Sequence, residues 1–242
     1  MADKPSIFAS MGARGTGKSA WVKQQIERKK PKRLAVWDLM KEYKSIHSTE
    51  NLGEFVRGLK AKTFAMAFFP SRDETAREAQ FDLWCKAMLA AGNLVAVVEE
   101  LAFVTKPNKA PPAWREMTLL GRHEEHRLTI YGTSQRPASI DKDFLANADL
   151  VHCGRLAYEP DANKAAMVLG VPAAELLRLP DLDYIERRAG DVEATRGKLF
   201  FGAGKPTLGK PPKGRNLTKP RGVSESETAL TSSPRSPSRE PI

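Results

Sequence analysis

Residues 12–19 read Gly12-Ala13-Arg14-Gly15-Thr16-Gly17-Lys18-Ser19. The spacing fits G-x-x-x-x-G-K-[ST], the Walker A phosphate loop, whose glycines let backbone amides turn inward around phosphate oxygens. Lys18 is expected to reach the β- and γ-phosphates of a nucleoside triphosphate, and the Ser19 hydroxyl to ligate Mg²⁺. The flanks support that reading. Ile7-Phe8-Ala9-Ser10-Met11 has the apolar character of a short buried strand, and Ala20 to Ile26 has apolar residues at 22 and 26, one turn apart. Strand, loop and helix in that order aim a helix N-terminus at the bound anion.

Working outward, further apolar runs alternate with helical patterns. Strands are expected at 34–37, ending at Asp38, and at 63–69, 94–98, 128–133 and 150–153. Helices are expected at 51–59, 73–91, 114–126, 141–148 and 161–169, with Ser71 or Asp73 capping the long one and Gly92 ending it. Residues 183–188 and 198–201 suit a terminal hairpin or edge strands. Leu94-Val95-Ala96-Val97-Val98 is the continuous apolar run of a strand covered on both faces. The pattern predicts an α/β fold, a mostly parallel sheet flanked by helices.

Composition narrows the class. The 242 residues carry a net charge of +10 and are 41% hydrophobic, which suits one globular core. No apolar run reaches the length of a membrane span, no signal-peptide pattern opens the chain, and a reducing cytoplasm is the expected setting. Cys85 and Cys153 sit in apolar segments as core cysteines do, and neither they nor His123 and His126 have zinc-ligand spacing. From Ala203 onward there are eight Lys/Arg against three Glu, no aromatic residue and seven of the 17 prolines. Residues 203–242 are therefore expected to be a disordered basic tail behind a motor domain spanning 1–202. The basic surplus points to a polyanionic partner.

Two acids, Glu99 and Glu100, follow the apolar strand at 94–98. In phosphate-loop enzymes such a strand faces the loop and ends in an acid that holds Mg²⁺, here Glu99. Glu100 is placed to orient and deprotonate a water for attack on the γ-phosphate, a role suited to hydrolysis. Gln135, after the strand at 128–133, can carry an amide to the γ-phosphate or to that water.

Val97-Val98-Glu99-Glu100, then Thr129-Ile130-Tyr131-Gly132-Thr133-Ser134-Gln135-Arg136-Pro137, then Leu145-Ala146-Asn147-Ala148-Asp149 resembles the HerA/FtsK superfamily of hexameric DNA-pumping ATPases. Asp38 to Tyr43 also looks like the Asp…Glu-Tyr segment of that group. Ser134 stands where the commoner pattern has Thr directly before Gln, and Glu99 stands where many members have Asp. The resemblance covers roughly residues 6–185. It implies a RecA-like ASCE core, ATP and Mg²⁺, and a homo-oligomeric ring, expected to be a hexamer. In such a ring an arginine of one subunit completes its neighbour's site, and the candidates here are Arg122, expected to project from a helix end, and Arg127. The compact chain looks like the genome-packaging ATPases of tailless, membrane-containing icosahedral viruses. That implies double-stranded DNA and capsid or packaging-vertex proteins as partners, in the host cytoplasm or at a virion vertex. A plasmid or host DNA translocase, a filamentous-phage assembly ATPase, a small nucleotide or nucleoside kinase and a non-hydrolysing nucleotide-gated module are the alternatives. Lys106, Lys109 and Arg115 are further candidates for a DNA-facing loop.

Overall fold

Why the apolar runs become strands is visible in their alternation. In β2 (Arg33–Trp37) Ala35 and Trp37 face one layer of the core, while Leu34 and Val36 face the other. A sheet buried on both faces needs apolar residues at consecutive positions, and β5 (Val95–Val98) supplies them. The computed structural model describes residues 4–200; the expected basic tail lies outside them.

The sheet has nine strands. β1 (Ile7–Met11) lies between β6 (Thr129–Ser134) and β7 (Leu150–Gly154), and β5 lies between β2 and β6. On the far side of β2 come β4 (Phe64–Phe68) and the short β3 (His47–Thr49), all parallel. Beyond β7, β8 (Asp183–Arg188) and β9 (Thr195–Lys198) add an antiparallel edge. β9 begins three residues before the strand expected at 198–201.

One face packs on α1 (Lys18–Lys29), through Trp21 and Val22 against Val36, Val97 and Tyr131. The other face carries α2 (Leu52–Gly58), α3 (Glu74–Ala91), α4 (Pro112–Leu120), α5 (Lys142–Ala146) and α6 (Glu159–Leu169), with α7 (Ala173–Arg178) packed on α6. Its aromatic centre is Trp37, Phe55, Phe68, Phe81, Trp84, Trp114 and Phe144, all fully buried; Trp37 meets Phe81 edge-on at 4.9 Å. Such rings dominate core energetics through their buried area. Asp73 caps α3 by accepting from the Ala76 amide at 2.8 Å, and Gly92 ends it at φ 51°, as expected. Both cysteines are buried and free.

The helix expected at 114–126 stops at Leu120: Gly121 caps it with its amide on the Met117 carbonyl, and the chain then turns back so that the Leu128 amide reaches the Gly121 carbonyl. β3 went unread, since His47-Ser48-Thr49 is polar and only Thr49 is buried. Among the described residues no helix is long and apolar enough to cross a membrane.

Candidate nucleotide-binding site

β1 delivers the chain to the carboxyl edge of the sheet, and the loop turns there on three glycines with positive φ: Gly12 at 149°, Gly15 at 80° and Gly17 at 96°. Gly17 precedes the first residue of α1, so the helix N-terminus opens into the loop. A Cβ on Gly12 would meet the Thr16 hydroxyl at 2.4 Å. Two amides pin the loop to its neighbours: Gly12 donates to the Ser134 carbonyl and Ala13 to that of Arg155. The amides of Arg14 and Gly15 donate to no acceptor among the described residues and stay available to an anion. Arg14 itself is exposed and without an ion pair among them.

Lys18 is buried, and its ammonium donates to the Ala13 carbonyl at 3.1 Å. Burial pulls its pKa below the ordinary lysine value, and the nearby charges of Glu100 and Glu99 oppose that shift. A loop carbonyl thus holds the cation until a better acceptor arrives. A phosphate oxygen, being charged, is such an acceptor.

β5 ends beside the loop, and its two acids go to different partners. Glu99 is 3% exposed and receives three hydroxyls. Ser19 and Thr133 donate to Oε2 at 3.2 and 2.6 Å, and Tyr43 donates to Oε1 at 2.9 Å. Burial raises its pKa above the ordinary carboxylate value, and the Thr133, Tyr43 and Ser19 hydrogen bonds work against that rise. Glu100 takes the left-handed conformation at φ 57°, an uncommon place for a residue with a side chain. Its amide donates to Thr133 Oγ1 at 3.0 Å, and Gln135 donates to its carboxylate twice: Nε2 to Oε1 at 2.7 Å and the main-chain amide to Oε2 at 3.3 Å. The turn at Glu100 therefore sends successive carboxylates apart, one toward Ser19 and one toward Gln135.

The structure brings Lys18, Ser19, Glu99, Glu100 and Gln135 together; Arg122 it does not. Rather than projecting, Arg122 folds back onto Asp149 at 2.8 Å. Asp149 also accepts from the Ile7 amide at 2.7 Å, so its carboxylate sits at the amino edge of β1, opposite the loop. Lys106 pairs with Glu74 and Glu78, and Arg115 with Asp143.

Three contributors were not singled out as site residues from sequence: Asp38, Tyr43 and Thr133. Asp38 is fully buried at the end of β2, where its carboxylate accepts from the amides of Glu42 at 2.9 Å and Tyr43 at 2.8 Å. That turn brings the Tyr43 hydroxyl to Glu99, 56 positions away in the chain. The sequence signal was the Asp…Glu-Tyr segment. Ser134, the departure from the commoner pattern, has its own use: its carbonyl holds Gly12 and its hydroxyl accepts from the Arg136 amide.

The fold is that of a phosphate-loop NTPase. The structure of the genome-packaging NTPase B204 from Sulfolobus turreted icosahedral virus 2 in complex with ATP-gammaS superposes with a TM-score of 0.66 at 16% identity, covering 81% of this chain and 98% of that one. VirB4 of Thermoanaerobacter pseudethanolicus superposes with a TM-score of 0.59 at 11% identity, covering 79% and 88%. In sequence, Protein P9 of Pseudoalteromonas phage PM2 is 29% identical over 176 residues, which is 71% of this chain and 78% of P9. No family model matches the chain. Within the phosphate-loop NTPase fold, the residues flanking the antiparallel β8–β9 pair pack toward the loop: a Cβ on Gly17 would strike Leu199, just after β9, and lie near Leu182, just before β8.

Proposed function

We propose that this chain is an ATP-hydrolysing double-stranded DNA translocase, a viral genome-packaging ATPase that moves DNA into a preformed capsid. The observation that carries the hydrolytic reading is the Glu100–Gln135 pair beside the metal-type acid and the loop lysine. A carboxylate oriented by an amide can take a proton from water, as hydrolysis requires; a kinase would turn such a base on a bound acceptor hydroxyl instead.

The residues present fit Mg²⁺. A serine hydroxyl and one carboxylate lie 3.2 Å apart, both hard oxygen donors. Among the described residues no cluster of three or more His, Cys, Asp or Glu could hold a metal by itself. That suits an ion that keeps waters and shares its shell with substrate phosphates. Ser19 and Glu99 would hold it, and the ion would neutralise charge on the phosphates.

The chain's own groups would then divide the work. The amides of Arg14 and Gly15 and the Lys18 ammonium orient the β- and γ-phosphates and offset their charge. Glu100 accepts the proton of the attacking water on its carboxylate, and Gln135 holds that carboxylate and the water in register. Gly12, Ala13, Thr16 and Gly17 shape the loop. An arginine from a neighbouring subunit of a hexameric ring, Arg122 or Arg127, completes the site. Arg122 would first have to leave Asp149. The likeness in fold to B204, a viral genome-packaging NTPase, supports the viral setting; a packaging vertex as docking partner and the host cytoplasm or virion as location belong to the same proposal. Within that reading, the motor domain ends at residue 202 and the basic residues 203–242 follow it in sequence.

Steady-state ATP hydrolysis with and without duplex DNA, with the oligomer measured by light scattering, tests the reading. The expected result is Mg²⁺-dependent turnover, stimulated by DNA, from a ring. A monomer whose turnover ignores DNA refutes it.

A further inference from the structure

The amino edge of the sheet, opposite the phosphate loop, holds a cavity of about 380 Å³ beneath the first residues of β2, β5 and β6. Lys30, Lys32, Arg33, Lys62, Asn93 and Arg127 line it, and among the described residues no carboxylate does. Lys30 and Lys32, Lys62, and Arg127 come from three separate connections, α1 to β2, α2 to β4 and α4 to β6, beside Lys29 at the end of α1 and Arg33 at the start of β2. Arg33 spends its guanidinium on the carbonyls of Leu59, Ala61 and Ala91. Lys30, Lys32, Lys62 and Arg127 are exposed at the rim, and none forms an ion pair among the described residues.

Ordinary structural needs do not account for this set. A cation at the end of α1 complements the helix dipole, which explains Lys30. It does not explain Lys32 after Pro31, Lys62 beyond the α2 cap, or Arg127 just before β6. Two of the cations also occupy backbone that favours glycine: Lys30 at φ 46° and Arg127 at φ 50°, joined at the same cavity by Asn93 at φ 47°. Side chains there carry a backbone cost that glycine would not. Like charges gathered in a concavity repel one another and focus a positive potential outward, which an anion relieves.

We propose that this cavity is a second anion site, a phosphate-reading contact for the backbone of duplex DNA. The inference rests on the translocase reading above and adds where the motor's surface meets its track. The lining identifies the ligand class. Apart from the cations it offers Pro5, Pro31, Leu94 and Val95, with only Asn93 and Thr129 as neutral polar groups. That set can bind phosphate oxygens and has little with which to distinguish a base or a sugar, as sequence-independent backbone contact requires. β1, β5 and β6 are four to six residues long, so this edge lies about 13–20 Å from the nucleotide loop. DNA held there would not reach this chain's own nucleotide loop; Arg127, also a candidate for a neighbour's site, is left intact in the test.

The test measures binding of the full chain to two duplexes of unrelated sequence by fluorescence anisotropy between 50 and 200 mM salt. Lys30→Asn, Lys32→Gln and Lys62→Gln are combined in one variant; asparagine is chosen at 30 because it tolerates left-handed backbone. A control carries Lys44→Gln, Arg72→Gln and Lys142→Gln, the same loss of charge elsewhere. Each backbone contact contributes about 0.9 to the salt slope of log K. Three lost contacts should flatten it by about 2.7, so the wild type should lose about 40-fold more affinity than the variant over that fourfold salt range. Both duplexes should weaken alike, the control slope should change by less than 1, and both variants should melt as the wild type does. A cavity variant whose slope tracks the control overturns this assignment and leaves the translocase reading standing. A wild-type chain that binds neither duplex overturns both. A variant that keeps DNA binding but loses binding to polyglutamate overturns it in favour of an acidic protein partner.

Discussion

Replacing Tyr43 with Phe removes one oxygen from the site and leaves the ring. The Tyr43 hydroxyl is the protein donor to Glu99 Oε1, at 2.9 Å, because Ser19 and Thr133 both serve Oε2. Burial, and then the Glu99 charge, push the phenol well above its ordinary pKa, so it remains a neutral donor at every working pH. A hydrogen bond to a charged group is worth about 1.5–3 kcal/mol. For a body of this size each kcal/mol moves the melting temperature by roughly 2–4 °C, so Tyr43→Phe should lower it by about 3–12 °C. Part of that energy sets where the carboxylate points. If about 1 kcal/mol of it is lost from Mg²⁺ binding, the Mg²⁺ concentration at half-maximal ATP turnover should rise about fivefold. Turnover at saturating Mg²⁺ should stay within a few-fold, because the phenol touches neither Glu100 nor the loop. The assay is a Mg²⁺ titration of steady-state hydrolysis beside a thermal melt. A lower melting temperature with an unchanged Mg²⁺ midpoint refutes the reasoning, since it would make Tyr43 a packing residue only.

Glu100→Gln should keep ATP affinity and cut hydrolysis by about 10²–10⁴, the usual contribution of a general base; a loss under tenfold in a single-turnover measurement would remove Glu100 from that role. Mixing Arg122→Ala subunits with Lys18→Ala subunits should restore part of the activity that each lacks alone, and no recovery at any ratio counts against Arg122 acting across a subunit boundary. Arg122→Ala should also cost up to about 1 kcal/mol of stability through its half-exposed pair with Asp149, readable as a shifted urea midpoint. His152 is fully buried, and burial lowers its pKa below the ordinary histidine value while Glu186, bonded at 2.9 Å, opposes the shift. The unfolded chain therefore binds the proton first as pH falls, and stability should drop below about pH 6.5 with a slope of at most about 1.4 kcal/mol per pH unit from this group. His152→Phe, stacked in its place on Trp21, should flatten that limb; identical pH profiles would contradict the assignment.

What the sequence made legible was local chemistry. The glycines of the loop, the apolar run ending in two acids and the Gln after β6 each carry their meaning in neighbouring residues. The structure places all of them at one edge of the sheet. What escaped depends on chain segments far apart. β3 is a strand because it pairs with β4, and nothing in His-Ser-Thr announces that. Arg122 was read from its helix end, yet its position is decided by an aspartate 27 residues later that also holds the start of β1. Tyr43 lay inside a segment noticed for its resemblance, but its job appears only when Asp38 bends the chain toward Glu99.

The two edges of the sheet divide the molecule's electrostatics. At the carboxyl edge one cation, Lys18, stands against two carboxylates, Glu99 and Glu100, so the site is formally net negative before a nucleotide arrives and would be more so with one bound. That favours a divalent cation as the next ligand. At the amino edge the rim cations face no carboxylate among the described residues, so the charge there stays available. Parallel strands make the separation possible, since each presents all its carboxyl ends to one side. On the proposed function, the loops of the nucleotide site then share one edge, and the connections on the other edge can collect positive charge without raising that site's affinity for stray anions.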